Sequence, residues 1–199
     1  MKTIVVLLFL VLSVQGTEPL ATGDWSAPVK GLRGRLLYLK DKPYEGTRIA
    51  LIYLELENVG NNSVALVLWH PASRFQVLDG AGQTVENKTP FVEDYIGTDP
   101  SSMTLYLPND STLRLPISVA YGFGFKKNGG VALQFPGSDV WYFPPDTQGE
   151  RFLKGTFSVP ELNPTDLERR RVDMGYLPDR VWRGTLDFPK LKIPLESPK

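Results

Sequence analysis

The chain has 199 residues, with 22 lysines and arginines, 22 aspartates and glutamates, one histidine and no cysteine. Its formal net charge of +0 gives no electrostatic argument for binding nucleic acid or an anionic membrane surface. The absence of cysteine excludes disulfides, thiol catalysis and thiolate metal sites. The length suits a single domain with a sizeable core.

The first residues have the layout of a secretory signal peptide. Lys2 precedes an apolar run over residues 4–12, and Val14 and Gly16 suit the positions that specify cleavage. The run is too short to cross a bilayer, which requires about 20 apolar residues. We therefore expect residues 1–16 to be removed and the mature protein to be secreted or periplasmic. An exported domain of this size without cysteine favours a bacterial envelope.

The mature chain reads as short strands separated by turn residues. In RIALIYLELE, residues 48–57, four apolar residues alternate with a second face that ends in Glu55 and Glu57. Segments of the same kind cover residues 64–69, 74–78, 103–107, 112–120, 131–135, 140–143, 152–159, 181–186 and 191–195. Pro116 lacks a backbone donor, so the strand over 112–120 is expected at a sheet edge or at a bulge. Roughly ten strands with regular turns predict an all-β, antiparallel sandwich or barrel-like sheet.

One segment has a different pattern. Asn163 is a good N-cap, Pro164 suits the first helical position and Gly175 can end a helix. The sequence therefore predicts one short surface helix over residues 164–174. Residues 17–24 are expected to form a loose lead-in, and residues 25–199 a single domain.

Two pairs of stretches resemble a known family. WSAPVKGLRGRL (25–36) is followed by LELENVG (54–60), and FLKGTFSV (152–159) is followed by WRGTLDFPKLKIP (182–194). Together they resemble a family of secreted β-sandwich proteins from planctomycete-type bacteria. The resemblance implies an exported immunoglobulin-like sandwich with no established activity. Over residues 49–119, the turn at Asn62-Ser63 and the segment from Gly82 to Val85 also resemble the BsuPI-type proteinase-inhibitor sandwich.

The residues that could support catalysis or metal binding are few. His70, beside Trp69, ends a predicted strand; the chain has no G-x-S-x-G elbow, and a strand-end role explains the histidine. Glu55 and Glu57 could form an acid–base pair, but they are expected on a solvated strand face with cations opposite. Glu93, Asp94 and Asp99 could bind calcium, although they lack the spacing of a calcium loop. We predict no catalytic residue, no bound metal and no cofactor.

Three adjacent aromatic residues stand in VWYFPP, residues 140–145. Alternate residues of a strand point to opposite faces, so Trp141 and Phe143 share one side and Tyr142 lies on the other. We expect Trp141 and Phe143 to pack inside, Tyr142 to lie at the rim, and the strand to stop at Pro144. The alternative is a surface patch that contains Trp141 or Tyr142 and stacks on sugar rings.

These observations favour a non-catalytic exported module that binds an unknown protein or an extracellular polymer. Its candidate ligand-binding residues are Trp141, Tyr142, Trp69 and His70. A proteinase inhibitor and a carbohydrate-binding module are special cases of this hypothesis. A carboxylate-dependent hydrolase and a subunit of a larger assembly with paired sheet edges are the alternatives. Neither nucleic-acid binding nor a membrane span is expected.

Overall fold

The structure is a computed structural model that describes residues 19–44, 47–68, 73–86, 103–117, 129–135, 140–159 and 181–195. Eleven strands occupy these ranges: β1 (Ala21–Thr22), β2 (Leu32–Tyr44), β3 (Thr47–Asn58), β4 (Val64–Leu68), β5 (Ser73–Asp79), β6 (Met103–Leu107), β7 (Ser111–Pro116), β8 (Val131–Gln134), β9 (Val140–Phe143), β10 (Arg151–Val159) and β11 (Gly184–Ile193). The described part of the chain contains no helix, which confirms the all-β class. None of its segments is a helix long and apolar enough to cross a membrane.

The strands form three sheets. The largest has the order β1-β2-β3-β8-β9, with β7 also paired to β3; the second has the order β11-β10-β5, and the third pairs β4 with β6. Each of these strand pairs is antiparallel except β3 and β8, which run parallel. Among the described strands, β7 pairs with β3 alone, as expected for a strand that contains Pro116.

All three sheets contribute to one hydrophobic core. The predicted alternation in β3 is confirmed, because the apolar residues of one face are all buried: Ala50, Ile52, Leu54 and Leu56. They join one cluster with Leu66 of β4, Phe157 of β10 and Phe188 of β11. Apolar residues on the inward faces of the other strands complete the same cluster. The alternation of inward and outward residues along each strand therefore explains where the core lies.

The longest strand is one that the strand pattern did not predict. β2 pairs with β3 from Leu32↔Asn58 to Tyr44↔Thr47, with a register shift between Leu39 and Lys42. Its inward residues Leu32, Leu36 and Tyr38 are fully buried. The segment expected to be a loose lead-in also contributes, because β1 pairs with Leu37 and Tyr38 of β2.

The last strand corrects a predicted boundary. Residues 181–186 and 191–195 were expected as two strands, because Pro189 interrupts the pattern. Instead β11 is continuous, and its register with β10 shifts between Leu153 and Gly155, where Phe188 and Leu191 are the partners. Pro189 lies within this irregularity, where a missing backbone donor costs no ladder hydrogen bond. The helix predicted over residues 164–174 and the signal peptide over 1–16 lie outside the described residues.

Candidate functional site

The main charged constellation lies on the outward face of the largest sheet. Arg35 of β2 and Arg114 of β7 are both register partners of Glu55 on the central β3. One pair along, Arg33 of β2 stands opposite Glu57 of β3. Because alternate residues of neighbouring strands share a face, these five side chains form one group. We call this group, together with Trp25, the Arg–Glu cluster.

Glu55 is the centre of the cluster. Its Oε2 accepts a hydrogen bond from Nε of Arg35 at 2.5 Å, and its Oε1 accepts one from Nε of Arg114 at 2.5 Å. The Glu55 side chain is only 3% exposed, against 26% for Arg35 and 46% for Arg114. A carboxylate of this kind keeps favourable partners for its charge while losing water, because both oxygens receive charge-assisted bonds.

This geometry changes the expectation for Glu55 and Glu57. The cations predicted opposite them are present, since Nε of Arg33 also bonds Glu57 at 2.7 Å. A solvated position is wrong for Glu55, which is buried although it points away from the core. The cause is the position of β3 between β2 and β7, since a long arginine from each side covers the glutamate.

Trp25 supports the arginines from the segment that precedes β2. The guanidinium carbon of Arg35 lies 4.3 Å from the centroid of the Trp25 ring, and that of Arg33 lies 4.7 Å from it. These are cation–π contacts, which are most favourable with tryptophan. Trp25 therefore restrains both guanidinium groups and is itself occupied by them.

The bonding of Glu55 limits its chemistry. A general base or nucleophile needs a lone pair that can reach the substrate. Both oxygens of Glu55 are engaged by arginine and the side chain is almost fully covered. The acid–base pair that the sequence offered at Glu55 and Glu57 is therefore a set of cross-strand ion pairs, and its three arginines against two glutamates leave one unit of positive charge.

Replacing Glu55 by glutamine is expected to lower the free energy of unfolding by about 1–3 kcal/mol. Breaking a buried pair costs more than this, but both arginines are partly solvated and can recover water. Urea denaturation measures the change. Glu57→Gln is the matched control, because Glu57 has one arginine partner and a side chain that is 24% exposed. Its cost is expected below about 1 kcal/mol. Equal losses in the two variants would contradict the central role of Glu55.

The aromatic strand is the second place that the sequence singled out. β9 ends at Phe143, immediately before Pro144, as the prolines predicted. The Trp141 ring meets the Phe135 ring edge-on at 5.8 Å and 71°, and Phe135 stacks on Phe75 at 4.6 Å. The Trp141 indole N–H donates to the backbone oxygen of Val85 at 3.3 Å. Trp141 is partly buried, and both its ring and its indole N–H have packing partners.

The two neighbours of Trp141 differ in burial. Phe143 is buried in the core, as expected. Tyr142 points to the opposite face, where it is partly buried and its hydroxyl donates to the backbone oxygen of Gly129 at 2.5 Å. The three rings therefore do not form one flat platform, and each ring has a structural contact of its own.

The other sequence candidates lie outside the described residues. These are Trp69, His70 and the possible calcium ligands Glu93, Asp94 and Asp99. Within the part of the chain that the structure describes, no group of three or more His, Cys, Asp or Glu residues could hold a metal ion.

Sequence reasoning missed Arg33 and Arg35 because it missed β2, and it missed Arg114 because it did not predict that the strand over residues 112–120 pairs with β3. Arg33 and Arg35 stand two residues apart in LRGRL, between apolar residues, which is the alternation of a strand. That signal, read against the Glu55–Glu57 spacing of β3, could have paired the two strands. Comparison with known proteins found no matching family model, no matching curated protein and no matching solved structure.

Proposed function

We propose that the chain is a non-catalytic, exported binding module built on an immunoglobulin-like β-sandwich. The meeting of three mainly antiparallel sheets around one core supports the sandwich. The signal-peptide pattern of residues 1–16 supports export to the periplasm or the exterior. The ligand is a protein or an extracellular polymer.

The observation that carries the binding function is the state of Glu55. Glu55, one of the two described carboxylates that the sequence offered as an acid–base pair, is bonded on both oxygens and covered. The same arrangement leaves a partly open group on β2, β3 and β7 in which three arginines face two glutamates. Such a group serves recognition better than proton transfer, because its arginine donors are held by ion pairs and the covered carboxylate of Glu55 is occupied.

A carbohydrate-binding module that stacks sugars on β9 has weaker support. Stacking needs an exposed ring, whereas both rings are partly buried and held by contacts of their own: Trp141 with Phe135 and Val85, and Tyr142 with Gly129. The hypothesis of a proteinase inhibitor is supported only by the sequence resemblance over residues 49–119. We therefore place the binding surface on the Arg–Glu cluster in preference to β9.

The test is a paired assay on the exported protein. It is screened for retention on immobilised polysaccharides and proteins, and in parallel for hydrolysis of soluble polysaccharides and casein. We expect retention on at least one partner, no turnover, and a mature N-terminus at Thr17 by mass spectrometry. Turnover that survives purification and is lost in Glu93→Gln or Asp94→Asn would replace this proposal with the hydrolase hypothesis.

A further inference from the structure

The Arg–Glu cluster has more hydrogen-bond donors than its glutamates use. An arginine carries five N–H donors, of which Nε supplies one. Arg35 and Arg114 bond Glu55 through Nε, and within the described residues their Nη groups make no further hydrogen bond. Three arginines face two glutamates, so the cluster contains one more positive than negative group. Unused guanidinium donors with excess charge fit the planar oxygens of an anion.

These donors are also held in place before any ligand arrives. Glu55 restrains Arg35 and Arg114 by accepting a hydrogen bond from the Nε of each, and Trp25 lies against the guanidinium group of Arg35. Ordering a flexible side chain on binding costs conformational entropy. Because these arginines are already restrained in the folded protein, less entropy is lost when a ligand binds. Arg114 is the most exposed of the three, with 46% of its side chain open to solvent.

The extent of the charged surface favours a long ligand with repeated charges over a single small anion. The cluster lies on the face of a sheet, with the charged rows at Arg33–Glu57 and at Arg35–Glu55–Arg114. Leu37, the next outward residue of β2, is fully buried, so the open part of the face ends there. One ion pair on an open face binds weakly and is screened by salt. A chain that repeats its charges gains further contacts once the first is made.

We propose that Arg35 and Arg114, supported by Glu55 and Trp25, bind the oxyanions of an acidic polysaccharide. This rests on the proposed binding function and names its ligand class. The shared chemistry is an oxyanion on a sugar chain, carried either by carboxylate or by sulfate. The arginine Nη groups donate to the ligand oxygens, while Glu55 holds the guanidinium groups at a fixed separation.

The experiment is affinity electrophoresis through gels that contain polygalacturonate, dextran sulfate or neutral dextran. We expect one of the two acidic polymers to retard the protein and neutral dextran to leave it unretarded; which acidic polymer acts identifies the anion. Arg114→Gln is expected to weaken that affinity about tenfold or more, because a charge-assisted bond is lost. Arg74→Gln is the control: it removes one exposed cation from β5, on a different sheet, and is expected to change affinity less than twofold.

A second measurement keeps the test valid if Arg114→Gln folds poorly. In the unaltered protein, titration with a short oligomer of the retarding polymer is expected to shift the NMR signals of the arginine Nε–H groups bonded to Glu55. Equal weakening in Arg114→Gln and Arg74→Gln would overturn the proposal, since it would show unspecific charge attraction. Retention on neutral dextran or on a protein alone would also overturn it, yet leave the binding function standing. Turnover of a polymer without retention would instead reject the binding function itself.

Discussion

Replacing Asn58 by alanine is expected to lower the free energy of unfolding by about 2–4 kcal/mol. Asn58 ends β3 and is fully buried. Its amide nitrogen donates to the backbone oxygens of Leu107 and Asn62 at 3.0 and 2.9 Å, and its amide oxygen accepts from the Gly60 N–H at 3.0 Å. Alanine would remove all three bonds and take a partner from the carbonyl of the buried Leu107, and loss of a partner at a buried group costs more than the bond itself contributes.

Two further variants identify the cause of the loss. Asn58→Asp keeps the shape and the acceptor but places a carboxylate against two carbonyl oxygens, so we expect a loss at least as large as that of alanine. Asn109→Ala removes an exposed side chain whose bond goes to its neighbour Asp110 at 3.3 Å, and it is expected to change stability by less than about 0.5 kcal/mol. Urea denaturation measures all three. A loss below about 1 kcal/mol in Asn58→Ala would show that the turn holds without its amide.

Asn58 also shows that the motifs quoted for the sequence resemblance have structural roles in this chain. In LELENVG, Asn58 bonds across to Leu107, and Gly60 lies so close to Gly31 that a Cβ there would stand 3.3 Å from the Gly31 Cα. In the closing stretch, the Trp182 indole donates to the backbone oxygen of Val29 at 2.9 Å. A Cβ on Gly184 would stand 2.9 Å from the Trp182 ring. Each of these motif residues has a packing reason, so the motifs indicate a fold and leave the ligand open.

Strands with one apolar face and one polar face could be predicted from the sequence. β2 and the continuity of β11 could not, because a glycine or a proline interrupts their apolar pattern. β3 was predicted to within one residue at each end, because an apolar face alternates with one that becomes polar. β2 was missed because its inward position 34 is a glycine, which supplies no apolar signal. The structure shows why glycine is needed there: a Cβ on Gly34 would stand 2.6 Å from the Phe188 ring. β11 was predicted as two strands, since Pro189 lies between its two apolar segments and a proline inside a strand normally marks an end.

The candidate site was less predictable than the fold for a physical reason. The positions of Glu55 and Glu57 on one strand face follow from local spacing alone. Their partners come from β2 and β7, and Arg114 is 59 residues away along the chain. Burial of Glu55 depends on that distant pairing, and no local pattern encodes it. The same holds for Trp141, whose indole donor finds its acceptor at Val85, 56 residues earlier.

Replacing Gly130 by alanine is the second substitution with a large expected effect, a loss of about 3 kcal/mol in the free energy of unfolding. Gly130 precedes β8 with a φ of 96°, a conformation that L side chains rarely adopt. An added Cβ would stand 2.3 Å from the backbone oxygen of Phe143 and 3.1 Å from the Tyr142 hydroxyl. The first of these contacts is with backbone, so relief requires β8 and β9 to separate where Val131 pairs with Phe143.

Gly80→Ala is the matched control for this substitution. Gly80 lies in the turn after β5, no atom lies within 4 Å of its added Cβ, and its φ is not positive. Its replacement is expected to change stability by less than about 1 kcal/mol, in either direction. Urea denaturation compares the two variants, and near-UV circular dichroism reports the surroundings of Trp141 and Tyr142. If Gly130→Ala matched Gly80→Ala in both measurements, β9 would not be held against β8 through this junction.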